Sequence, residues 1–348
     1  MPWAVPQSWM TGGGHPPHSA ERSGRRSCTG VGPARPERIS WVRRSGVAPA
    51  NAHCVVSEPT REHEPVLVAP LLRLLDPQPG QIVLDGTVGL GGHAAVLLPR
   101  LLPGGRYIGL DVDAEMLAVA RTNLANFPPE AVRLAAANYA DFARELTAAG
   151  VTQVDHVLLD LGVNSAQIDD AGRGFSFDRD GPLDMRFDRN QRRQALDLVN
   201  ALFYEYGQEG QSRKIAKRIC EVRHSGRITT TRALAAAVES AGGPGGRIRP
   251  ATRVFQALRI AVNRELDNLE AFLREVTAWV RPGGRLAVIS FHSLEDGIVK
   301  TFLRAAKAAG TFTELTKRPV IAEPEERGRN PRSRSAKLRV AERLAAAT

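Results

Sequence analysis

An apolar run passes directly into a glycine-rich turn in the stretch Gln81-Ile82-Val83-Leu84-Asp85-Gly86-Thr87-Val88-Gly89-Leu90-Gly91-Gly92-His93. The run predicts a short buried strand, and residues 92–102 predict the helix that follows it. Glycines between a strand and a helix let the backbone turn sharply and let a ligand approach the chain closely. The stretch therefore predicts the first strand–turn–helix unit of a parallel sheet with a ligand at its edge.

The same alternation continues along the chain. We predict further strands at residues 107–110, 132–134, 154–159 and 285–290, separated by helices such as the one carrying Met116, Leu117, Ala120 and Leu124 on one face. Strands alternating with helices of this length indicate an α/β fold with a doubly wound parallel sheet. After a helix at 263–280, a turn at 281–284 and a helix at 294–309, residues 312–317 and 337–341 are predicted to pair as a terminal antiparallel hairpin.

The alternation is interrupted at residues 171–250. Residues 212–224 predict a helix with Ile215, Ile219 and Val222 on one face, and the glycine-rich segment 242–246 predicts a break. We divide the chain into a basic extension (1–60), the first part of the sheet domain (61–170), a helical insertion (171–250) and the second part of the sheet domain with a basic C-terminal segment (251–348).

Charge is distributed unevenly. The net charge is +10, and residues 189–260 carry fourteen Lys and Arg against five Asp and Glu, or +9. A basic segment within an acidic body is typical of a polyanion-binding face, although solvated helix faces would look the same. We predict that Arg213, Lys214, Lys217 and Arg218 contact that polyanion.

Other composition features limit the class of protein. No apolar run is long enough to span a membrane, and the three scattered cysteines suit a reducing, cytoplasmic compartment without a metal site. Residues 1–60 show no periodicity, so we expect disorder there. Whether they are an over-extended gene start, an arm or a targeting peptide stays open, as does a homodimeric state.

The predicted cofactor site joins the turn to the end of the second strand. Asp111 is placed to accept hydrogen bonds from both hydroxyls of a ribose. Asp85 at the turn would repel a pyrophosphate but attract the ammonium and sulfonium groups of S-adenosylmethionine, although it could simply cap the turn. His93 is either a ligand contact or a packed residue, and Tyr139 either stacks on an adenine or belongs to the core.

The predicted reacting end lies at the same edge of the sheet. Asp160 ends the fourth strand and could accept a proton from an exocyclic amine, which is a poor nucleophile, or else cap its loop. Phe291 follows the fifth strand and could stack on a base drawn out of its helix. His292 could contact that base or a phosphate.

Together these segments resemble the ribosomal RNA small subunit methyltransferase H family of bacteria, from about Arg61 to the C-terminus. The motifs that carry the resemblance are His63-Glu64-Pro65-Val66-Leu67, residues 86–93, 160–167, 173–177, 181–186, 250–253 and 291–296, and Asn330-Pro331-Arg332-Ser333-Arg334-Ser335-Ala336-Lys337-Leu338-Arg339. Several of these strings are long and unusual, so chance agreement is not a sufficient explanation.

The resemblance implies a Rossmann-like methyltransferase sheet that methylates N4 of one cytidine in the decoding region of small-subunit ribosomal RNA. The substrate would be that RNA or the small ribosomal subunit, and the RNA would be the polyanion that Arg213, Lys214, Lys217 and Arg218 contact. S-adenosyl-L-methionine would be the donor, with contacts at Gly91, Gly92, His93, Asp111, Tyr139, Asp160 and Gln167. Asp160 would then serve the cofactor, the target amine or both.

Two alternatives compete with this interpretation. A methyltransferase acting on DNA or protein is the first, but amine-methylating DNA enzymes commonly carry a [DNS]-P-P-[YF] signature after the fourth strand, which Asp160-Leu161-Gly162-Val163 does not match. The second is a non-catalytic RNA-binding assembly factor, which would have no need of Asp85, Asp111 and the glycine-rich turn.

Overall fold

The computed structural model describes residues 64–201, 210–224, 226, 228–241 and 249–345. The predictions for residues 1–60 and 242–246 lie outside these ranges. The helices are α1 (Val68–Leu75), α2 (Gly92–Leu101), α3 (Ala114–Asn123), α4 (Phe142–Ala148), α5 (Ser165–Asp169), α6 (Ala195–Ala201), α7 (Gly210–His224), α8 (Thr231–Ser240), α9 (Pro250–Asn263), α10 (Glu265–Trp279), α11 (Ser293–Ala308) and α12 (Pro324–Arg329). The strands are β1 (Ile82–Asp85), β2 (Arg106–Asp111), β3 (Val132–Ala136), β4 (Val154–Asp160), β5 (Val280–Ser290), β6 (Phe312–Glu314), β7 (Val320–Ile321) and β8 (Lys337–Arg343).

One sheet contains all of these strands, in the order β3-β2-β1-β4-β5-β8-β6, with β7 also paired to β8. Strands β1 to β5 are parallel, and β8 runs antiparallel to β5. The predicted doubly wound α/β sheet is therefore confirmed. The strand order reverses between β1 and β4, and in such sheets ligands bind at the carboxyl ends beside that reversal.

Apolar residues on alternate positions of each strand face opposite sides of the sheet. Leu84 and Leu159 belong to the core cluster that includes Phe272 of α10, and Leu158 belongs to the cluster that includes Leu97 of α2. Helices thus cover both faces, which explains why the central strands are buried along nearly their whole length.

The C-terminal strands confirm the predicted antiparallel pairing and add detail to it. Thr313 of β6 is paired with Glu342 of β8, but β7 and α12 lie between these strands in the chain. Strand β8 also enters the sheet between β5 and β6. The two strands are therefore neighbours without being joined by a tight turn.

Two predicted boundaries need correction. The helix expected from residue 263 begins at Glu265, because Arg264 adopts a left-handed conformation (φ 52°) that separates α9 from α10. The turn expected at 281–284 lies within β5 as a bulge. Between the pairs Val154–Val280 and His156–Arg285, β5 runs through five residues while β4 runs through two.

The insertion has its own apolar cluster, in which Ile219 is buried and Ile215 and Val222 pack at the edge. This confirms the apolar face predicted for α7. The cluster continues through Val262, so α9, which begins at the predicted boundary of residue 250, packs with the insertion. Across the described ranges, no helix combines the length and apolar character that crossing a membrane requires.

Candidate active site

A cavity of about 310 Å³ lies at the carboxyl ends of β1, β2, β4 and β5. Residues from the turn after β1, the insertion and the C-terminal segment complete its wall. Seven of the residues predicted to form the site line it: Gly92, His93, Asp111, Tyr139, Asp160, Gln167 and Phe291. The structure thus brings the predicted cofactor residues and the predicted reacting end into one cavity.

Asp111 ends β2 and holds the glycine-rich turn in place. Its Oδ2 accepts the N–H of Gly89 at 2.7 Å and its Oδ1 accepts the N–H of Asp113 at 2.8 Å. Burial raises the pKa of Asp111 to about 6, although these two hydrogen bonds act to lower it. Each carboxylate oxygen accepts one of these backbone hydrogen bonds and so keeps a lone pair for another donor, as a ribose diol requires.

Asp160 ends β4 at the bottom of the cavity. Its Oδ1 is buried and has no hydrogen-bond partner within the described part of the chain, and its Oδ2 lies 3.5 Å from Nδ1 of His93. Burial raises the pKa of Asp160 to about 6, while the nearby His93 acts to lower it. A buried carboxylate oxygen without a donor is costly, so Oδ1 is available to a donor from a bound ligand or water.

His93 and Gln167 are held by contacts that local sequence did not reveal. Nε2 of His93 lies 2.9 Å from the carbonyl oxygen of Val66, which comes before the first strand. Gln167 completes a capping box with Asn164 at the start of α5, and its Nε2 donates to Oδ2 of Asp113 at 2.8 Å. The Gln167 carbonyl oxygen accepts the Asn164 N–H at 3.1 Å.

Tyr139 and Phe291 place aromatic rings at two points of the cavity. The hydroxyl of Tyr139 donates to the carbonyl oxygen of Glu265 at 3.2 Å, and its ring meets that of Phe272 edge to face. A Cβ at Gly162 would lie 3.6 Å from the ring of Phe291. Glycine at this position therefore keeps the space beside that ring open.

Two residues predicted to contact the cofactor, Asp85 and Gly91, do not line the cavity. Asp85 lies behind the turn, where its Oδ2 accepts the Tyr107 hydroxyl at 2.6 Å and its Oδ1 accepts the Thr87 N–H at 2.9 Å. It does not line the cavity, so it supports the turn instead of meeting the donor's positive charges. Gly91 adopts φ +86°, a backbone conformation that favours glycine, and a Cβ there would lie 3.4 Å from Leu124 of α3.

His292 also differs from its predicted role. Its Nδ1 accepts the N–H of Glu295 at 3.4 Å, which caps the first turn of α11. Its Nε2 lies 3.0 Å from Oε1 of Glu295 at an angle that forms no hydrogen bond. His292 does not line the cavity, so the prediction of a direct contact with a base or phosphate is not supported by its position.

A buried ion pair lies beside the reacting end and was not predicted from the sequence. Arg259 of α9 donates from Nε and Nη2 to the two carboxylate oxygens of Glu265, both at 2.9 Å, and both residues line the cavity. The apolar periodicity of α9 could have placed Arg259 near the core. The position of Glu265 depends on the left-handed Arg264, for which the sequence gives no signal.

Glu265, His292 and Glu295 place three potential metal ligands within 4.8 Å of one another. Both oxygens of Glu265 accept bonds from Arg259, and Oε2 of Glu295 accepts the N–H groups of Phe291 and His292. The carboxylates are therefore already committed to protein donors, and we interpret the group as an ion-pair cluster.

The basic residues predicted to bind RNA lie on α7, away from the cavity wall. Lys214 and Lys217 are exposed. Arg218 donates to Ser240 Oγ at 3.0 Å and lies 3.3 Å from Glu221. The side chain of Arg213 lies outside the described part of the structure. Of these four residues, Lys214 and Lys217 are therefore the two whose charge the structure places in solvent, whereas Arg218 is held by neighbouring side chains.

Comparison with known proteins agrees with this geometry. Residues 60–344 match the model of the MraW methylase family. A protein of Deinococcus radiodurans named ribosomal RNA small subunit methyltransferase H is 46% identical over 88% of this chain and 98% of its own length. Proteins with the same name from Syntrophotalea carbinolica (47% identical, 81% of this chain, 98% of that protein) and Sorangium cellulosum (46%, 82% and 92%) are also similar.

Proposed function

The chain belongs to the MraW methylase family, and from this premise we propose that it transfers a methyl group from S-adenosylmethionine to N4 of one cytidine in small-subunit ribosomal RNA. An RNA substrate of this kind implies action in the cytoplasm, where ribosomal subunits are assembled. The observation that carries the proposal is the buried Oδ1 of Asp160, which has no partner among the described residues, on a side chain that shares one cavity with Asp111 and Phe291.

The donor fits the residues at the carboxyl ends of β2 and β4. Asp111 would accept the two ribose hydroxyls while it keeps its backbone hydrogen bonds, and the ring of Tyr139 would lie beside the adenine. Gly92 and His93, at the start of α2, would border the amino-acid end. When bound, S-adenosylmethionine supplies an electrophilic methyl group on a sulfonium.

Asp160 acts on the target amine. As the new N–C bond forms and the S–C bond breaks, N4 must lose one proton. The cytosine amine is weakly nucleophilic because its lone pair is delocalised into the ring, so an acceptor on one N4 hydrogen increases its reactivity and orients it. Oδ1 of ionised Asp160 is the acceptor, and it takes up the proton directly or passes it to water.

Phe291 holds the base and the insertion holds the RNA chain. A base reaches such a cavity only after it leaves its stack, and an aromatic ring replaces part of the lost stacking. Lys214 and Lys217 on α7 contact phosphates and contribute affinity that does not depend on sequence. Positioning of amine and methyl group accounts for most of the remaining rate enhancement.

The test is direct. Purified protein is incubated with methyl-labelled donor and either unmodified small-subunit RNA or small subunits, and the RNA is digested to nucleosides for mass analysis. We expect label in N4-methylcytidine, with the Asp160→Asn variant as the negative control. Label in another nucleoside, or donor binding without transfer to any RNA, would contradict the proposal.

A further inference from the structure

Arg332 is a cavity residue to which the proposed function gives no role. It lies in a single 3-10 turn, Pro331–Arg334, and it lines the cavity. Its Nη1 is buried and has no hydrogen-bond partner within the described chain. The other arginine of the cavity wall, Arg259, binds both oxygens of Glu265. Arg332 has no such carboxylate.

The backbone holds Arg332 in this place. Asn330 is buried, and its Oδ1 accepts the Arg332 N–H at 3.3 Å while its Nδ2 donates to the carbonyl oxygen of Glu64 at 2.9 Å. Ser333 closes the turn by donating from Oγ to the carbonyl oxygen of Asn330 at 2.8 Å. Glu64 itself lines the cavity, so this turn is part of the wall and not a free loop.

The electrostatic environment of Arg332 is unfavourable without a ligand. Burial lowers the pKa of its guanidinium, and Asp169 of α5 acts in the opposite direction. No described carboxylate forms an ion pair with Arg332 at 4.0 Å or less. A partly buried guanidinium that lacks acceptors loses hydration without compensation. Its planar fork matches the oxygens of a carboxylate or a phosphate, which would restore the missing hydrogen bonds.

We propose that Arg332 binds an oxyanion of the ligand that occupies this cavity. The inference rests on the proposed function, which brings two oxyanions to the site: the carboxylate of the methyl donor and a phosphate beside the target nucleotide. Both present the same chemistry to a guanidinium. Their binding can be measured separately, so one pair of variants distinguishes them.

The test variant is Arg332→Met, which removes the charge and keeps an apolar stem. The matched control is Arg334→Met in the same 3-10 turn, because Arg334 is exposed and does not line the cavity. Arg332→Lys keeps the charge but loses the fork, so we expect it to fall between wild type and Arg332→Met.

The first arm is calorimetry with S-adenosylhomocysteine and with methylthioadenosine, which lacks the amino-acid carboxylate. If Arg332 binds the donor carboxylate, Arg332→Met weakens S-adenosylhomocysteine binding about tenfold or more and leaves methylthioadenosine binding unchanged. The second arm is RNA binding across a salt series with S-adenosylhomocysteine saturating. If Arg332 binds a phosphate, Arg332→Met lowers the affinity for RNA about tenfold. The slope of log affinity against log salt also decreases by about one, as the loss of one phosphate contact requires.

A thermal melt of the ligand-free variants tests whether the role of Arg332 is purely structural. Arg332→Met should unfold no earlier than wild type, since it removes a desolvated charge. Earlier unfolding, or behaviour equal to Arg334→Met in both arms, would overturn the inference while leaving the proposed function intact. Failure of wild type to bind either S-adenosylhomocysteine or RNA would instead contradict the proposed function, and this inference with it.

Discussion

Nδ1 of His93 lies 3.5 Å from Oδ2 of Asp160, and Nε2 of the same ring lies 2.9 Å from the carbonyl oxygen of Val66. A carbonyl oxygen only accepts, so Nε2 carries a proton and Nδ1 faces the carboxylate. If either Nδ1 or the Asp160 carboxyl carries a further proton, the two groups attract each other. Without that proton, two hydrogen-bond acceptors face each other. The carbonyl of Val66, in the segment that precedes the first strand, therefore fixes which ring nitrogen of His93 faces the reacting end.

The first prediction concerns Asp160 as the proton acceptor. Asp160→Asn keeps the size of the side chain but cannot accept the N4 proton, so kcat should fall by about a hundredfold or more. For wild type, kcat/KM should rise as pH increases through about 6, because the raised pKa of Asp160 must be exceeded for the carboxylate to ionise. A variant that retains a tenth of the wild-type kcat would exclude this role. Methylation assays stopped at fixed times, at pH values between about 5 and 8, measure kcat and the pH dependence of kcat/KM.

The same substitution should stabilise the ligand-free protein. Folding raises the pKa of Asp160 from 3.8 to about 6, so the ionised side chain disfavours the folded state by at most about 3 kcal/mol above that pH. The penalty decreases as pH falls through 6 and is absent below the unfolded pKa. Asp160→Asn should therefore unfold at a higher temperature than wild type at neutral pH, with a smaller difference in acid. Equal melting curves at neutral pH would contradict the assigned burial cost.

Asp111→Asn tests the ribose contact. The amide keeps one oxygen acceptor, so it loses one of the two backbone hydrogen bonds of the turn as well as the charged acceptor for the diol. We expect S-adenosylhomocysteine to bind about ten- to a hundredfold more weakly by calorimetry, since hydrogen bonds to charged groups contribute about 1.5–3 kcal/mol. Asp178→Asn, at an exposed position in the insertion, is the control and should bind normally. Unchanged affinity in a folded Asp111→Asn protein would remove Asp111 from the cofactor site.

The exposed lysines of α7 give a prediction about RNA. Replacing both Lys214 and Lys217 with Ala should reduce the slope of log affinity against log salt by about one to two and raise the apparent KM for RNA. Donor affinity should stay the same, because neither residue lines the cavity. The control removes the same charge from α11 by Arg304→Ala with Lys307→Ala, both exposed. If the two double variants lose affinity equally, the effect reflects general charge and not the insertion.

A stability prediction follows from Arg173, which is almost fully buried. It donates from Nη2 to Asp113 Oδ2 at 2.6 Å, and this carboxylate also accepts from Gln167. Arg173→Met leaves Asp113 buried without its cation, which should lower the free energy of unfolding by about 3–5 kcal/mol. Arg144→Met breaks the pair between the exposed Arg144 and the partly buried Glu145 and should cost less than about 1 kcal/mol, because the lost cation was solvated. Similar losses in denaturant titrations of the two variants would contradict this assignment.

Local patterns were sufficient to predict the sheet and its functional edge. Alternating strands and helices, together with acids that end two strands, predicted the doubly wound sheet and placed Asp111 and Asp160 at the same edge. Both line the cavity, as do Phe291 and Tyr139. This worked because the carboxyl ends of parallel strands meet at one edge whatever the connecting loops do.

Which way a side chain faces was decided only by tertiary structure. Asp85 and His292 stand next to cavity residues in the chain, yet one supports the turn through Tyr107 and the other caps α11. Arg259 and Arg332 reach the cavity from segments with no strand-end signal. Their positions depend on a left-handed residue at 264 and on a contact between Asn330 and Glu64 across 266 positions of sequence. Periodicity records which face of an element is apolar, but it holds no information about which distant polar group will satisfy a buried charge.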